Sequence, residues 1–253
     1  MDDNLKSALT KVPAVTLGFW IIKILATTFG ETAGDTVSMS MNLGYLVGTA
    51  IFAAILLALV IWQIRATRFH PALYWTTIIA STTAGTTMAD FATRSMGIGY
   101  PGGSLLLLGL VLLSLLAWRM ALGTISVDSV HEPKAEIYYW VTITFSQTLG
   151  TALGDWVADG PLGYLGAAVI FGGLLALVAV AYWRTKVSHV VLFWLAFILT
   201  RPLGAVVGDF LDKPVASGGL ELSRGAASLV LGAAIVLLVW LVPQRAGSRA
   251  AAA

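Results

Sequence analysis

Trp20 to Asp35 reads WIIKILATTFGETAGD, and the same ruler returns three times, in Trp75 to Asp90 (WTTIIASTTAGTTMAD), Trp140 to Asp155 (WVTITFSQTLGTALGD) and Trp194 to Asp209 (WLAFILTRPLGAVVGD). In every copy a Trp stands fifteen residues before an Asp. A Gly stands five before that Asp (Gly30, Gly85, Gly150, Gly204), and a Gly or Ala immediately precedes it. Four copies in one register make an internal repeat.

Around these copies the chain is mostly apolar. Of its 253 residues 58% are hydrophobic and 11% charged, a balance that belongs to integral membrane proteins. Apolar runs long enough to cross a hydrocarbon core of ~30 Å fall at 13–35, 42–64, 71–93, 101–122, 136–158, 162–183, 189–211 and 220–242. The expected fold is therefore all-α, a polytopic membrane protein of eight transmembrane helices built from four parallel two-helix repeats around a polar core. The odd runs carry the Trp-to-Asp unit and are interrupted by polar residues, so they face inward. The even runs are almost purely aliphatic and face lipid. The expected divisions are a cytoplasmic N-terminus (1–12), a first half of four helices (13–122), a cytoplasmic linker (123–135), a second half (136–242) and a cytoplasmic tail (243–253) whose final residues, SRAAAA, read as a disordered end.

The cationic residues set the orientation. Lys6, Lys11, Arg65, Arg68, Arg119, Lys134, Arg184, Lys186, Arg245 and Arg249 lie at the termini and after even runs, against Arg94, Lys213 and Arg224 on the opposite side. The positive-inside rule puts both termini in the cytoplasm. The N-terminus is too polar for a signal peptide, and the expected location is the bacterial cytoplasmic (inner) membrane. Each repeat has two helices, so successive repeats enter the bilayer in the same direction and are related by an axis along its normal.

Stepping back from each Asp by four residues picks out one helical face. That face reads Asp35, Glu31, Thr27 and Lys23 in the first copy and Asp90, Thr86 and Thr82 in the second. In the third it reads Asp155, Thr151 and Gln147, and in the fourth Asp209, Ala205 and Arg201. Charged groups at bilayer depth cost on the order of 2.5–3.5 kcal/mol each, so these stripes must converge on a shared interior. The small pairs Gly30 with Gly34, Gly85 with Ala89, Gly150 with Gly154 and Gly204 with Gly208 let the backbones approach. Each Trp reads as an interfacial anchor.

Five acids (Glu31, Asp35, Asp90, Asp155, Asp209) against Lys23 and Arg201 leave this interior at minus three, a balance that favours cations. Lys23 and Arg201 read as charge-balancing partners of the acids. Carboxylate, hydroxyl and amide oxygens are the ligand set of hard ions. The expected ion-binding residues are therefore Glu31, Asp35, Asp90, Asp155 and Asp209, with Thr27, Thr82, Thr86, Gln147 and Thr151 assisting. A divalent cation is the candidate bound ion, and the Glu31 and Asp35 pair offers a place for protons.

Other chemistry lacks its residues. Cysteine is absent, and His70, His131 and His189 are far apart with no zinc-binding spacing. The glycines around Pro101 make a tight turn, since no Lys-Ser/Thr follows to cradle phosphate. Met39 and Met41 read as loop packing, and Asp159 and Asp212 as loop caps. No nucleic-acid partner is indicated by a net charge of +2, and no organic cofactor motif is present. The partners are the lipid bilayer, an inorganic cation or protons, with a second copy, as a homodimer, a further candidate.

Four tandem two-helix repeats, each with a Trp and a TxxGxxxGD-like signature, resemble a family of bacterial membrane proteins known as a repeat of unknown function and often labelled membrane-anchored. The resemblance spans residues 13–242. It implies the architecture and the membrane location, and no activity. The second copy departs from the pattern at Ala89, and the fourth at Pro202 and Ala205, which would bend that helix and leave it fewer oxygens.

Two functions fit these residues. One is a transporter of an inorganic cation, plausibly divalent and exchanged for protons, using the intramembrane acids. The other is a non-transporting structural or regulatory membrane protein with a charge-paired polar core. An enzyme is not expected, because the acids stand beside tight packing faces and not in a cleft open to lipid.

Overall fold

The computed structural model describes residues 11–130 and 132–247. Lys6, His131, Arg249 and the terminal SRAAAA lie outside them. Eight long helices are described: α1 (Leu17–Asp35), α2 (Gly44–Arg65), α3 (Pro71–Asp90), α4 (Gly99–Leu122), α5 (Pro133–Ala158), α6 (Gly163–Arg184), α7 (His189–Asp212) and α8 (Arg224–Leu241). Each end falls within four residues of the expected span.

Local chemistry explains the ends. Thr16 caps α1 by accepting from the Phe19 amide, and Ser223 caps α8 by accepting from Ala226. Proline opens α3 and α5 at the position where its missing N–H costs nothing. Gly123 ends α4 in a left-handed conformation. After Asp35 and Asp90 the helices continue as single π-helical turns, Thr36–Ser40 and Phe91–Ser95, whereas α5 and α7 run on as α-helix past Asp155 and Asp209.

The helices form two concentric shells. The inner shell is a closed ring in which α1 packs on α3, α3 on α5, α5 on α7 and α7 on α1. Each outer helix packs chiefly on the inner helix of the following repeat: α2 on α3, α4 on α5, α6 on α7, and α8 back on α1. The fourth repeat thus closes the circle on the first.

One contact rule generates the ring. A Cβ added at Gly30 would strike Thr82, and at Gly34 would lie 3.0 Å from Thr86. At Gly85 it would be 3.0 Å from Gln147, and at Gly150 it would strike Arg201. At Gly154 it would be 3.1 Å from Ala205. At Gly204 it would strike Thr27, and at Gly208 would lie 2.7 Å from Glu31. In three repeats, then, the glycines five and one before the Asp admit the stripe residues eight and four before the Asp of the next repeat, and in the second Gly85 does so for Gln147. Ala89 tolerates its methyl at the one inner position where Gly is replaced.

Five helices are long and apolar enough to cross a membrane, namely α2, α4, α6, α7 and α8. The other three, α1, α3 and α5, have 19, 20 and 26 residues. They carry the polar stripes and bury them in the ring. The outward faces are apolar all round, with Trp62, Leu105, Val169, Leu229 and Trp240 each more than 60% exposed.

Of the four Trp residues of the repeat, expected as interfacial anchors, Trp20 is half-buried and the other three are drawn into the bundle. Trp75, Trp140 and Trp194 are buried. The aromatic residue before each Trp packs on the Trp of the next repeat: Phe19 on Trp75 (5.4 Å between centroids), Tyr74 on Trp140 (5.8 Å), Tyr139 on Trp194 (6.4 Å) and Phe193 on Trp20 (5.8 Å). Indole N–H groups are tied to the connecting segments, Trp75 to Gln244 and Trp194 to the Ile125 carbonyl. Trp62, Trp183 and Trp240, near the ends of outer helices, and Trp156, near the end of α5, are exposed. Around this aromatic end the segment at Lys11–Ala14 pairs with Arg245–Gly247. Lys11 also meets Glu136 at 2.6 Å and the Gln63 and Ile64 carbonyls at 3.1 and 3.0 Å.

Candidate functional site

The axis of the ring is a stack of five layers, each with one residue from every inner helix. From the aromatic end they are Phe19, Tyr74, Tyr139 and Phe193; Lys23, Ile78, Ile143 and Phe197; Thr27, Thr82, Gln147 and Arg201; Glu31, Thr86, Thr151 and Ala205; and Asp35, Asp90, Asp155 and Asp209. All are buried. Steps of four residues place successive layers about 6 Å apart, and the same-face relation comes from the helical period.

In the last layer the four acids split into two pairs, each bridged by a cation. Lys213 Nζ lies 2.8 Å from Asp35 and 2.9 Å from Asp209. Arg94 lies 2.8 Å from Asp90 and 3.1 Å from Asp155. In both pairs the cation stands four residues after one Asp and reaches the Asp of the next repeat. Asp159 and Asp212, expected as loop caps, join these clusters. Asp159 accepts from the Tyr100 hydroxyl at 2.5 Å and lies 3.8 Å from Arg94. Asp212 pairs with Arg224 at 2.9 Å.

Burial works against charge on Lys213, but Asp209 and Asp35 outweigh it and hold the amine charged, its pKa above the usual value. Arg94 is held likewise by Asp155 and Asp90. The expected balance of minus three therefore omits two cations, Arg94 and Lys213, which bring the stripe residues to minus one.

One layer in, Arg201 is fully buried. Its Nη2 lies 2.9 Å from Glu31 Oε2, 2.5 Å from each of the Thr86 and Thr151 hydroxyls, and 3.5 Å from the Thr82 carbonyl. A single guanidinium nitrogen on α7 thus touches α1, α3 and α5. The Thr27 hydroxyl is taken up by the Ile24 and Thr200 carbonyls at 2.8 and 3.2 Å. Lys23 Nζ is 3.5 Å from Gln147 Oε1 and from Thr200 Oγ1, and 4.0 Å from the centre of the Phe197 ring.

The expected ion-binding residues do not all meet at one point. Glu31, Asp35 and Asp209 offer carboxylate oxygens within 4.8 Å of one another, all three buried, and this triad could coordinate a divalent cation. Asp90 and Asp155 stand apart from it on Arg94. Thr86 and Thr151 serve Arg201, and Gln147 faces Lys23. Of Lys23 and Arg201, expected as charge-balancing partners of the acids, only Arg201 meets an acid.

Arg94, Lys213 and Arg224 are the participants that counting loop charges hides. Their signal is in the sequence: Asp90 with Arg94 and Asp209 with Lys213 are i,i+4 pairs of opposite charge.

A family model described as Repeat of Unknown Function (DUF347) matches four times, at residues 18–69, 73–124, 138–188 and 192–246. The chain belongs to the DUF347 family. Each match holds one inner helix and the outer helix that follows it, so the DUF347 unit is a sequence repeat whose two helices pack mainly on different neighbours. Neither the curated proteins nor the solved structures contain a match to this chain.

Proposed function

We propose that this DUF347 protein is a multi-pass protein of the bacterial cytoplasmic membrane, with all eight helices crossing and both termini cytoplasmic, and that its polar core is a charge-paired structural or regulatory element. It is not an enzyme in this reading. One observation carries it: each of the five stripe acids is already paired with a cation, Glu31 with Arg201, Asp35 and Asp209 with Lys213, and Asp90 and Asp155 with Arg94. Membrane crossing is supported by the apolar outer faces and by the ring, which turns the polar stripes of α1, α3 and α5 away from lipid. The test is ion flux in proteoliposomes. Protein-containing vesicles should move Mg²⁺, Mn²⁺, Ca²⁺, Na⁺ and H⁺ no faster than protein-free ones. Flux that wild type supports and Asp35→Asn abolishes would sink the structural reading.

A second reading, transport of a divalent cation in exchange for protons, is favoured by the Glu31, Asp35 and Asp209 triad. An ion entering there must displace the Lys213 ammonium, which already occupies the position of a counter-charge. Wild-type protein should then gain thermal stability from one ion of a metal panel, and Asp35→Asn should not.

A further inference from the structure

Toward the aromatic end from Glu31 the core changes sign. Lys23 and Arg201 are both fully buried, and Glu31 is the one carboxylate in the four inner layers. Among the described residues, Lys23 has an amide oxygen, a hydroxyl and an aromatic face around its nitrogen. Beside it stand further donors with no hydrogen-bond partner among the described residues: Arg201 Nε and Nη1, Gln147 Nε2 and the Thr82 hydroxyl. Thr82, Gln147 and Arg201 share a layer, and Lys23 lies in the next one. Each of the four inner helices therefore carries a buried donor in these two adjacent layers.

Guanidinium and amide nitrogens can only donate, so an acceptor is what these groups lack. Leaving a buried donor unpaired is destabilising, and more so for a charged group. Arg201 and Glu31 pair with each other, and no carboxylate is paired with Lys23 among the described residues.

We propose that the axis between Lys23 and the layer of Thr82, Gln147 and Arg201 is a binding site for one small monovalent inorganic anion of halide size. Lys23 and Arg201 supply the charge, and Gln147 Nε2 and the Thr82 hydroxyl complete the donors. Ile78, Ile143 and Phe197, which share the Lys23 layer and are fully buried, make one side of the site apolar. That suits a singly charged ion, which loses less hydration than sulfate or phosphate. The site is distinct from the Asp layer and does not depend on whether a cation binds there.

The test is thermal unfolding of the purified full chain in non-ionic detergent, with sodium gluconate replaced stepwise by chloride, bromide or nitrate at constant ionic strength. Wild type should show a saturable rise of the midpoint with the small anions. Gln147→Glu, which brings its own carboxylate to Lys23, and Lys23→Met should each lose that rise. Thr82→Val should weaken the apparent affinity about tenfold, the loss of one hydrogen bond to a charged group, and Gly173→Ala, on the outer helix α6 where a Cβ meets open space, should leave it unchanged. A wild-type midpoint indifferent to the anion would overturn the proposal and assign these donors to water. So would a response that persists undiminished in both Gln147→Glu and Thr82→Val, which would mark a general salt effect.

Discussion

Arg201 and Glu31, 170 residues apart in the chain, meet at 2.9 Å with both side chains out of solvent. The pair joins the last inner helix to the first, so removing one partner leaves a lone charge inside the ring. Arg201→Met should lose about 3–5 kcal/mol, the usual cost of breaking a buried pair from one side. Adding Glu31→Gln should restore a large part of it. Denaturant titration in detergent of the single and double variants checks this, and additive losses would show that the two side chains are not coupled.

Lys213→Met should do two things at once. It unpairs Asp209 and leaves Asp35 only Arg224 at 3.8 Å, lowering stability in metal-free buffer by about 3–5 kcal/mol, and it uncovers the acidic triad. Divalent cations should therefore stabilise this variant more than wild type, measured as the shift of the unfolding midpoint across a Mg²⁺, Mn²⁺ and Ca²⁺ series. Equal shifts in both proteins would mean that the ammonium does not guard the triad.

The glycine rule predicts a sharp contrast between inner and outer helices. Gly204→Ala should cost about 1–3 kcal/mol by overpacking, because the new methyl would strike Thr27 on α1. Gly173→Ala on α6 meets open space and should be neutral or slightly stabilising. Paired melting curves decide.

Because the chain has no cysteine, single thiols report topology cleanly. Ser188 and Ser217 are both exposed, at opposite ends of α7. In intact cells a membrane-impermeant maleimide should label Ser217→Cys and not Ser188→Cys, and should label both after lysis. The reverse pattern would invert the orientation, and labelling of both in intact cells would contradict a membrane-spanning α7.

Much of this was legible in the chain. The Trp-to-Asp ruler set the repeat, and its spacing located every helix, because long apolar runs and helical periodicity are local signals. The pairing of acids was only half legible. Asp90 with Arg94 and Asp209 with Lys213 stand at helical spacing, but which further Asp each cation reaches depends on which helices become neighbours. The burial of Trp75, Trp140 and Trp194 escaped for a different reason: a Trp near a span end is ordinarily interfacial. Here an aromatic residue stands before every Trp of the repeat, at Phe19, Tyr74, Tyr139 and Phe193, and turns the set into a packed layer. The free donors around Lys23 could not be seen at all, since an unpartnered nitrogen is a property of the assembled ring.

The closing of the circle by α7 and α8 on α1 has a consequence for biosynthesis. Ribosomes deliver α1 first, yet the groups that match its acids, Arg201, Lys213 and Arg224, are among the last made. At about 5–20 residues per second, Asp35 and Lys213, 178 positions apart, emerge roughly 10–35 s from each other. For that interval the nascent first helix has none of its eventual counter-charges, and its final position is settled only when translation is nearly over.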